Sequence, residues 1–324
     1  MPLVESVSVV VPVYNSERGL AALIERLAPV LAASAREYEA VLVDDGSRDT
    51  SWAVIRELSR ANPWVRGLRL MRNFGQHNAL LCGIRAARFE VIVTIDDDLQ
   101  HPPEEIPRLL APIAAGEADV VYGAPERQRH GLVRNLASWV TRMTLEGAMG
   151  VRAARNLSAF RAFRTRLRDA FAGYESPQVC IDAMLSWGTG RFDAVRVRHD
   201  ARAVGASNYN VRRLVSHALT MMTSYSAWPL RMASVVGFGF TLFGFGVLAY
   251  VLVQWMRFGS TVPGFAFLAS IIAIFSGAQL FALGVLGEYL ARIHARSLNR
   301  PPYTIAEKTP ARAAEPTGGE GASQ

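Results

Sequence analysis

The sequence has little that indicates a disulfide-stabilised or exported protein. It contains two cysteines, Cys82 and Cys180, in 324 residues, too few for a disulfide framework and suited to a reducing compartment. No signal peptide is expected ahead of the first apolar run. The composition is otherwise ordinary, and the length permits one large domain or two smaller ones.

The glycine-rich motifs that cradle phosphate are also missing. The chain has neither a P-loop nor a G-x-G-x-x-G motif, so a bound nucleotide diphosphate would need a metal ion to neutralise its charge. No basic stripe is interleaved with aromatic residues, and we expect no nucleic-acid partner. The formal net charge of +7 is more simply matched by anionic lipid headgroups.

Charge is absent from two long segments near the end of the chain, residues 232–253 and 265–286. Each segment is about long enough to cross the hydrocarbon core of a bilayer as a helix. A buried hairpin in a soluble core is the alternative, but soluble helices of this length normally have a polar face. We therefore predict a transmembrane helical hairpin over residues 232–290.

Arginines flank the predicted hairpin on both sides. They are Arg212, Arg213 and Arg231 before it and Arg292, Arg296 and Arg300 after it, while Arg257 lies in the turn. By the positive-inside rule, the large N-terminal part and the C-terminal tail both face the cytoplasm. We also expect homo-oligomers, because small residues in the hairpin permit close helix contact: Gly237, Gly244, Gly277 and Gly284.

The first half of the chain alternates apolar runs of strand length with segments of helical periodicity. The predicted strands are residues 7–13, 39–43, 65–70, 91–95 and 119–122, and the predicted helices are residues 20–33, 50–61, 76–87 and 103–115. Repeated strand, helix, strand units indicate a mainly parallel sheet that is covered on both faces. We predict an α/β, Rossmann-like domain over residues 1–210.

Two further segments have an amphipathic pattern with basic residues, one around residues 133–143 and one at 211–231. Such a helix can lie in the headgroup plane beside the hairpin or pack on the sheet, and both alternatives stay open. For residues 211–231 we favour the interfacial helix. Residues 291–324 are predicted to be a cytoplasmic tail that is disordered at its end, where Ala, Pro, Gly and Glu dominate.

An acidic cluster follows the fourth predicted strand, in the sequence VIVTIDDDLQHPPEE of residues 91–105. If this stretch stays extended, Asp96, Asp98 and Gln100 share one face and Asp97 points the other way. Mg²⁺ and Mn²⁺ prefer such oxygen ligands. A solvated turn before a helix is the alternative. Because clustered acids repel one another unless a cation is present, we predict a metal site at Asp96, Asp98 and Gln100.

Two more polar segments follow predicted strands, at residues 12–15 and 44–47. The second, Asp44-Asp45-Gly46-Ser47, is either a plain turn or a nucleotide site whose carboxylates accept hydrogen bonds from a base or ribose. Ligands of parallel sheets bind at the carboxyl ends of strands. The fold would therefore gather residues 12–15, 44–47 and 96–100 on one edge.

These motifs, in this order, resemble those of family 2 glycosyltransferases. The matching segments are PVYN at 12–15, DDGS at 44–47, RNFGQH at 72–77, DDDLQHPPE at 96–104, residues 199–209, and GAQ at 277–279 through GEY at 287–289. The acidic motif looks like that of dolichol-phosphate mannose synthases. The resemblance covers about residues 5–303, and is greatest to undecaprenyl-phosphate formamido-arabinose transferases and bactoprenol glucosyltransferases, which also have a two-helix C-terminal anchor.

The resemblance implies a GT-A type domain and an inverting, metal-dependent enzyme in the inner membrane. It would transfer a sugar from a nucleotide sugar, with UDP favoured, to undecaprenyl or another polyprenyl phosphate on the cytoplasmic face. The lipid-linked product would serve cell-envelope glycan synthesis or lipid A modification. The implied donor-binding residues are Pro12, Tyr14, Asn15, Asp44, Asp45 and Asp96, and the implied ligands of Mg²⁺ or Mn²⁺ are Asp96, Asp98 and Gln100.

The acceptor in this family is a phosphate monoester, which is largely dianionic at pH 7 and needs no protein base. Arginine is suited to binding it, and the candidates are Arg127, Arg129 and Arg134. Asp98, Arg127 and Arg134 are the implied catalytic residues. Asp182 is either a base or, as we favour, a residue at a surface position or helix start.

The chain departs from the family pattern at several positions. Pro125 stands where relatives often have arginine, Asn208 replaces a lysine, Asn156 replaces an acid, and the usual glutamate is displaced to Glu17. A catalytically impaired binding or scaffolding protein is therefore an alternative. A polysaccharide synthase is a weaker one, because a single hairpin is too small for a polymer channel and the Q-x-x-R-W signature is absent.

Overall fold

The computed structural model describes residues 3–125, 157–200, 228–258 and 264–310. The chain divides into two compact units, one containing the N-terminal α/β domain together with the residues from Pro301 onwards, and the other containing the two long C-terminal helices. The predicted amphipathic segment at 133–143, and that at 211–231 up to residue 227, lie outside the described residues.

The first unit is built around an eight-stranded sheet. Its strands are β1 Val4–Val13, β2 Ala35–Asp44, β3 Val65–Leu70, β4 Val91–Thr94, β5 Val120–Pro125, β6 Arg161–Arg164, β7 Phe192–Val197 and β8 Ile305–Lys308. Its α-helices are α1 Leu20–Ser34, α2 Ser51–Ala61, α3 Gln76–Ala86, α4 Ile106–Ala114 and α5 Ile181–Gly188, with short 3₁₀ helices at Pro103–Glu105 and Thr165–Phe171.

The strand order is β7-β5-β6-β4-β1-β2-β3-β8. Strand β1 is parallel to β2 and β4, β2 is parallel to β3, and β5 is parallel to β7. Strand β6 runs antiparallel to β4 and β5, and β8 runs antiparallel to β3. Val9, Val10 and Val11 in β1 have no exposed surface, because a central parallel strand is buried on both faces. The predicted α/β, mainly parallel fold is confirmed.

The register of the central strands determines where the polar motifs meet. Val13 at the end of β1 is opposite Asp44 in β2, and Val10 is opposite Thr94 at the end of β4. The residues that follow these strands therefore emerge at one edge of the sheet. This register is the reason why residues 12–15, 44–47 and 96–100 are expected to lie at the same edge of the sheet.

Three strands, β6, β7 and β8, were not predicted from the sequence. Strand β8 lies within the predicted tail, ahead of the part that was expected to be disordered, and its residues 305–308 pair with β3. The Trp52 indole Nε1 donates a 2.9 Å hydrogen bond to Glu307 Oε2, and the Gly67 N–H donates to Thr309 Oγ1 at 2.9 Å. A domain boundary at residue 210 therefore leaves out an edge strand that covers the open side of β3.

The second unit contains α6 Trp228–Phe258 and α7 Phe265–Ser297. Residues Leu230–Arg257 and Ile274–Ser297 are long and apolar enough to cross a membrane, and their apolar windows are 0% buried. The helices contact each other where Phe275 packs against Phe240 and Phe243, with ring centroids 5.8 and 6.3 Å apart. The expected pair of apolar, membrane-length helices is thus confirmed.

Glycines in these helices differ in their surroundings. A Cβ on Gly244 would lie 3.1 Å from the Phe275 ring of the same chain, whereas one on Gly237, Gly277 or Gly284 would meet nothing within 4 Å. Gly244 therefore serves contact within the hairpin. Association of hairpins through the other glycines stays a prediction.

Candidate active site

A cavity of about 360 Å³ lies at the carboxyl ends of β1 to β4. Its lining residues are Pro12, Val13, Tyr14, Asp45, Asn73, Gly75, Gln76, Asp96, Asp97 and Asp98. The structure thus brings together residues from four separate segments, including five of the predicted site residues: Pro12, Tyr14, Asp45, Asp96 and Asp98. Asn73, Gly75 and Gln76 were not predicted as site residues, although the motif RNFGQH that contains them was recognised.

The acidic turn does not have the extended geometry that we assumed. Strand β4 ends at Thr94, and Leu99 has a φ of 58°, so side chains no longer alternate between two faces. Asp97 lines the cavity together with Asp96 and Asp98, and its Oδ2 accepts a 3.4 Å hydrogen bond from the Tyr14 N–H. That its side chain points away from those of Asp96 and Asp98 stays a prediction. The N–H of Gln100 donates to Asp98 Oδ1 at 3.1 Å, and Gln100 is not among the lining residues. Its predicted role as a metal ligand stays a prediction.

The three adjacent carboxylates disturb one another electrostatically. Burial, together with the charges of Asp98 and Asp97, raises the pKa of Asp96 to about 7. A 2.7 Å hydrogen bond from Gln76 Nε2 to Asp96 Oδ1 opposes this shift only in part. Burial is also the main cause of the raised pKa of Asp97. Such a cluster is stabilised by a bound cation, which favours the charged carboxylates.

The donor set fits a divalent ion shared with a substrate. No group of three His, Cys, Asp or Glu side chains in the described ranges could by itself hold a metal ion. Mg²⁺ typically takes one or two carboxylates, with water and substrate phosphate completing its shell. Asp96 and Asp98 at the cavity wall are two carboxylates of this kind. Because they are too few to complete the shell, a metal ion here would take its further ligands from water and a bound diphosphate.

Asp44, the last residue of β2 before the turn at residues 45–47, is fully buried. Its Oδ1 accepts a 3.0 Å hydrogen bond from the Ser47 N–H, while its Oδ2 accepts none and lies 3.4 Å from Arg69 Nε. Gly46 in this turn has a φ of +68°, and a Cβ there would lie 2.6 Å from the Arg72 carbonyl carbon. The position therefore requires glycine, both for its backbone angle and for the close approach of the next loop.

Asp45 holds that next loop in place. Its two carboxylate oxygens accept hydrogen bonds from the N–H groups of Phe74 and Gly75 at 2.7 and 2.8 Å. Burial raises the pKa of Asp45, and these two N–H groups oppose the rise. Asn73 and Gly75 of the loop line the cavity. Asp45, predicted as a donor ligand, therefore also positions neighbouring parts of the cavity wall.

Asn15 connects two turns rather than lining the cavity. Its N–H donates to Ser47 Oγ at 3.0 Å, and its Oδ1 accepts from the Arg48 N–H at 2.8 Å. The residue has a φ of 53°, a conformation that asparagine tolerates better than most residues. It fixes the turn after β1 against the turn after β2.

Asp182 takes part in a buried cluster beneath this edge of the sheet. It lies in the first turn of α5 and pairs with Arg161, which is 1% exposed, and it accepts a 2.9 Å hydrogen bond from the Tyr122 hydroxyl. The Arg161 Nε in turn donates to Thr94 Oγ1 at 3.2 Å. These contacts favour the helix-start interpretation, with a structural role for Asp182.

Several predicted residues lie outside the described residues. They are the acceptor-phosphate candidates Arg127, Arg129 and Arg134, together with Asn156 and Asn208. Pro125 is described: it is the last residue of β5 and is paired with Val197 of β7. The roles of the three arginines stay predictions.

Comparisons with known proteins agree with this geometry. Residues 8–174 match the family described as Glycosyl transferase family 2. An undecaprenyl-phosphate 4-deoxy-4-formamido-L-arabinose transferase of Pseudomonas paraeruginosa is 35% identical over 305 residues, which cover 93% of this chain and 90% of that protein. A protein of the same name from Shewanella sediminis is 36% identical over 309 residues, covering 94% and 92%.

Among solved structures, the chain is similar to glucosyl-3-phosphoglycerate synthase from Mycobacterium tuberculosis. In complex with Mn²⁺, UDP and glucosyl-3-phosphoglycerate, that enzyme superposes with a TM-score of 0.52 at 20% identity, covering 68% of this chain and 78% of that one. Its complex with Mn²⁺, UDP-glucose and phosphoglyceric acid gives a TM-score of 0.53 at 19% identity, with the same coverage. At this identity the similarity shows a shared GT-A type fold.

Proposed function

This chain belongs to glycosyl transferase family 2, and we propose that it transfers a sugar from a UDP-sugar to undecaprenyl phosphate or another polyprenyl phosphate. The observation that carries the proposal is the cavity in which Asp96, Asp97 and Asp98 face the loop held by Asp45. Similarity to undecaprenyl-phosphate sugar transferases over more than nine-tenths of the chain supports the lipid acceptor.

The nucleotide would occupy the side of the cavity formed by β1 and β2. Pro12 and Tyr14 line that side, and the buried Asp44, which lies 3.4 Å from Arg69, supports the turn beneath it. The Asp45 carboxylate holds the next loop by accepting from the Phe74 N–H, and the Asn15 N–H donates to Ser47 in the turn after β2. The chain would thus bind the base and ribose mainly through side chains and backbone groups that are already fixed.

The diphosphate would lie against the acidic turn with Mg²⁺ or Mn²⁺. Asp96 and Asp98, with Gln100 as the predicted third ligand, supply oxygen donors of the type these ions prefer. These residues would hold a divalent ion that supplies Lewis-acid stabilisation to the leaving diphosphate. The raised pKa of Asp96, about 7, supports this placement, because burial and like charge leave these carboxylates in need of a cation.

The acceptor phosphate supplies its own nucleophile. Its oxygen forms a bond to the anomeric carbon as the bond from that carbon to the UDP oxygen breaks, so UDP leaves and the configuration inverts. No proton has to be removed, because a phosphate monoester is largely dianionic at pH 7. The involvement of Asp182 in the cluster with Arg161 and Tyr122 agrees with chemistry that needs no carboxylate base. Arg127, Arg129 and Arg134 would bind the acceptor phosphate.

The lipid acceptor requires an enzyme attached to the membrane, and the two apolar helices provide the anchor. Strand β8 follows these helices in the chain and pairs with β3, which precedes them. A chain that leaves the sheet domain, crosses a bilayer and returns to the same sheet must cross an even number of times. This supports a multi-pass protein of the inner membrane whose N-terminal and C-terminal parts share one side. The positive-inside rule, applied to the flanking arginines, supports the proposal that this side is the cytoplasm.

The proposal is tested with the detergent-solubilised full-length protein, radiolabelled UDP-sugars, undecaprenyl phosphate and Mn²⁺. UDP-glucose and a UDP-linked 4-deoxy-4-formamido-L-arabinose are the first donors, chosen from the comparisons. We expect label in the organic phase with at least one donor, and its loss on addition of EDTA. Absence of lipid-soluble label with every donor, with EDTA making no difference, contradicts the proposal.

A pair of matched variants separates an enzyme from a scaffold that has kept the fold. Asp98→Asn removes a charge at the cavity wall, and Asp193→Asn removes one from an exposed position in β7. We expect Asp98→Asn to lose nearly all transfer while remaining folded, and Asp193→Asn to behave as the parent protein does. Transfer that survives in Asp98→Asn would contradict the role of Asp98, and absence of transfer in the parent protein and in both folded variants would favour a role in binding alone.

A further inference from the structure

Three consecutive residues at the start of α3 each reach a different segment of the sheet domain. Gln76 Nε2 donates to Asp96 Oδ1 at 2.7 Å, and His77 Nδ1 accepts from the Ile181 N–H at the start of α5 at 3.4 Å. Asn78 Nδ2 donates to two backbone carbonyls of other segments. The first turn of α3 is therefore a junction between the cavity wall and the structure around it.

Asn78 is 6% exposed and uses both hydrogens of its amide. Its Nδ2 lies 2.6 Å from the Pro302 oxygen and 3.0 Å from the Pro177 oxygen. Only an amide nitrogen offers two donors at this side-chain length, since a carboxylate of the same shape can only accept. The contact with Pro302 joins α3 to the part of the chain that follows the two apolar helices.

Residues 301–309 form what we call the post-hairpin arm, which crosses the edge of the sheet. Four hydrogen bonds of 2.9 Å hold the arm. The Met71 N–H donates to the Thr304 oxygen, and Trp52 Nε1 donates to Glu307 Oε2. The Gly67 N–H donates to Thr309 Oγ1, and the Thr309 N–H donates to the Gly67 oxygen. The arm is thus anchored along β3 and α2, and its first residues reach Asn78.

We propose that Asn78 is a positioning residue for the donor site and that the post-hairpin arm is the support to which it is tied. The inference rests on the proposed function, and it adds the post-hairpin arm to the parts of the chain that support the donor site. Gly75 and Gln76, three and two residues before Asn78, line the cavity, so a shift of this turn displaces the amide that holds Asp96. A misplacement of about 1 Å in an active site can cost about 100-fold in rate.

The kinetic test uses full-length Asn78→Ala and Asn78→Asp, with Asn62→Ala as the matched control. Asn62 also donates through its amide, to the Leu58 oxygen at 3.1 Å, but within the end of α2. We expect both Asn78 variants to raise the KM for the UDP-sugar and to lower kcat/KM by about 10- to 100-fold. Asn62→Ala should remain within about twofold. Donor KM values that match the control in both Asn78 variants overturn the proposal.

A second variant tests the arm without touching Asn78. Trp52→Phe removes the indole N–H that binds Glu307 and keeps an aromatic ring at this buried position, although a smaller one. If the arm supports the donor site, the KM for the UDP-sugar rises by about two- to fivefold, because the arm loses one of its hydrogen bonds. This rise is smaller than that expected for the Asn78 variants. A lower melting temperature with unchanged donor KM would show that the arm only stabilises the fold, and would overturn its assigned role.

A binding readout separates this inference from the proposed function, because it requires no transfer. Hydrogen exchange at the Met71 and Thr309 amides is followed with and without UDP and Mn²⁺. Coupling between sites is reciprocal, so nucleotide binding should slow exchange in the parent protein and in Asn62→Ala, and not in Asn78→Ala. Equal slowing in all three overturns the inference even if transfer is observed. Slowing lost only in Asn78→Ala supports it even if no donor is transferred.

Discussion

The side-chain amide of Gln76 donates a 2.7 Å hydrogen bond to Oδ1 of Asp96 and so joins the first residue of α3 to the acidic turn. The donor is neutral. A lysine or arginine at this position would neutralise Asp96 itself and compete with a divalent ion. An amide orients the carboxylate and leaves its negative charge available, which is what a site for a metal-bound diphosphate requires.

Gln76→Ala should weaken activation by Mn²⁺. A hydrogen bond to a charged group contributes about 1.5–3 kcal/mol, so the Mn²⁺ concentration for half-maximal transfer should rise by about 10- to 150-fold. Gln76→Lys should nearly abolish transfer because its ammonium group competes for Asp96. Gln254→Ala, in helix α6, is the control for the same substitution elsewhere. An unchanged Mn²⁺ requirement in both Gln76 variants would contradict the orienting role.

Asp45→Asn should weaken nucleotide binding. An asparagine amide offers one acceptor oxygen, so it cannot accept from both the Phe74 and Gly75 N–H groups. Leaving one buried donor unpaired costs about 1–3 kcal/mol, and part of that cost should appear as weaker binding of UDP with Mn²⁺ in isothermal titration calorimetry. Asp193→Asn provides the control. Equal UDP affinity in the two variants would show that the loop from Arg72 to Gly75 does not depend on Asp45.

Two glycines with positive φ allow backbone strain to be separated from close packing. Gly46 has a φ of +68° and no room for a Cβ beside Arg72, whereas Gly116 has a φ of +73° and nothing within 4 Å. Gly116→Ala should cost about 1 kcal/mol of stability from the backbone angle alone. Gly46→Ala should lower the melting temperature further and should also weaken UDP binding, because it displaces the loop that contains Asn73.

Glu39 gives the sheet domain a pH-dependent contribution to stability. The residue is fully buried. Burial tends to raise its pKa, but hydrogen bonds from Arg66, the Arg88 N–H and Ser8 outweigh that effect and hold the pKa below its ordinary value of 4.5. A lowered pKa stabilises the fold above pH 4.5, and the stabilisation is lost as the pH falls through the folded-state value.

Glu39→Gln should therefore destabilise the protein by about 1.5–3 kcal/mol at pH 7, the usual contribution of hydrogen bonds to a charged group. The difference in melting temperature from the parent protein should shrink as the pH falls below about 4.5, where the parent loses the same charge. The exposed Glu37→Gln on the same strand is the control. Near-UV circular dichroism of the detergent-solubilised chain follows unfolding. A difference that stays constant from pH 7 to pH 4 would contradict this account.

Much of the central sheet could be predicted from the sequence because its signals are local. The apolar runs that became β1 to β4 are buried on both faces, and each is followed by a helix of clear periodicity. Strand β6 carries arginine at both ends, Arg161 and Arg164, and becomes buried only through its pairing with distant strands and through Asp182. Strand β8, Ile305–Lys308, is a polar edge strand whose partner lies more than 200 residues earlier.

The site was predicted in its residue types better than in its geometry. The carboxylates of the acidic turn were recognised from charge and strand position alone. Their arrangement was not, because alternation between faces holds only while a strand continues, and β4 ends at Thr94 with Leu99 at a φ of 58°. The contributions of Gln76 and Asn78 depend on contacts with Asp96 and Pro302, which no local pattern indicates.

The most direct test of the central claim is the mass of the lipid formed from undecaprenyl phosphate and a UDP-sugar by the purified protein. The account predicts a product equal to undecaprenyl phosphate plus one sugar residue, formed with one equivalent of UDP and absent with Asp98→Asn. Release of UDP with free sugar and unchanged lipid, or a product that persists in Asp98→Asn, would contradict it.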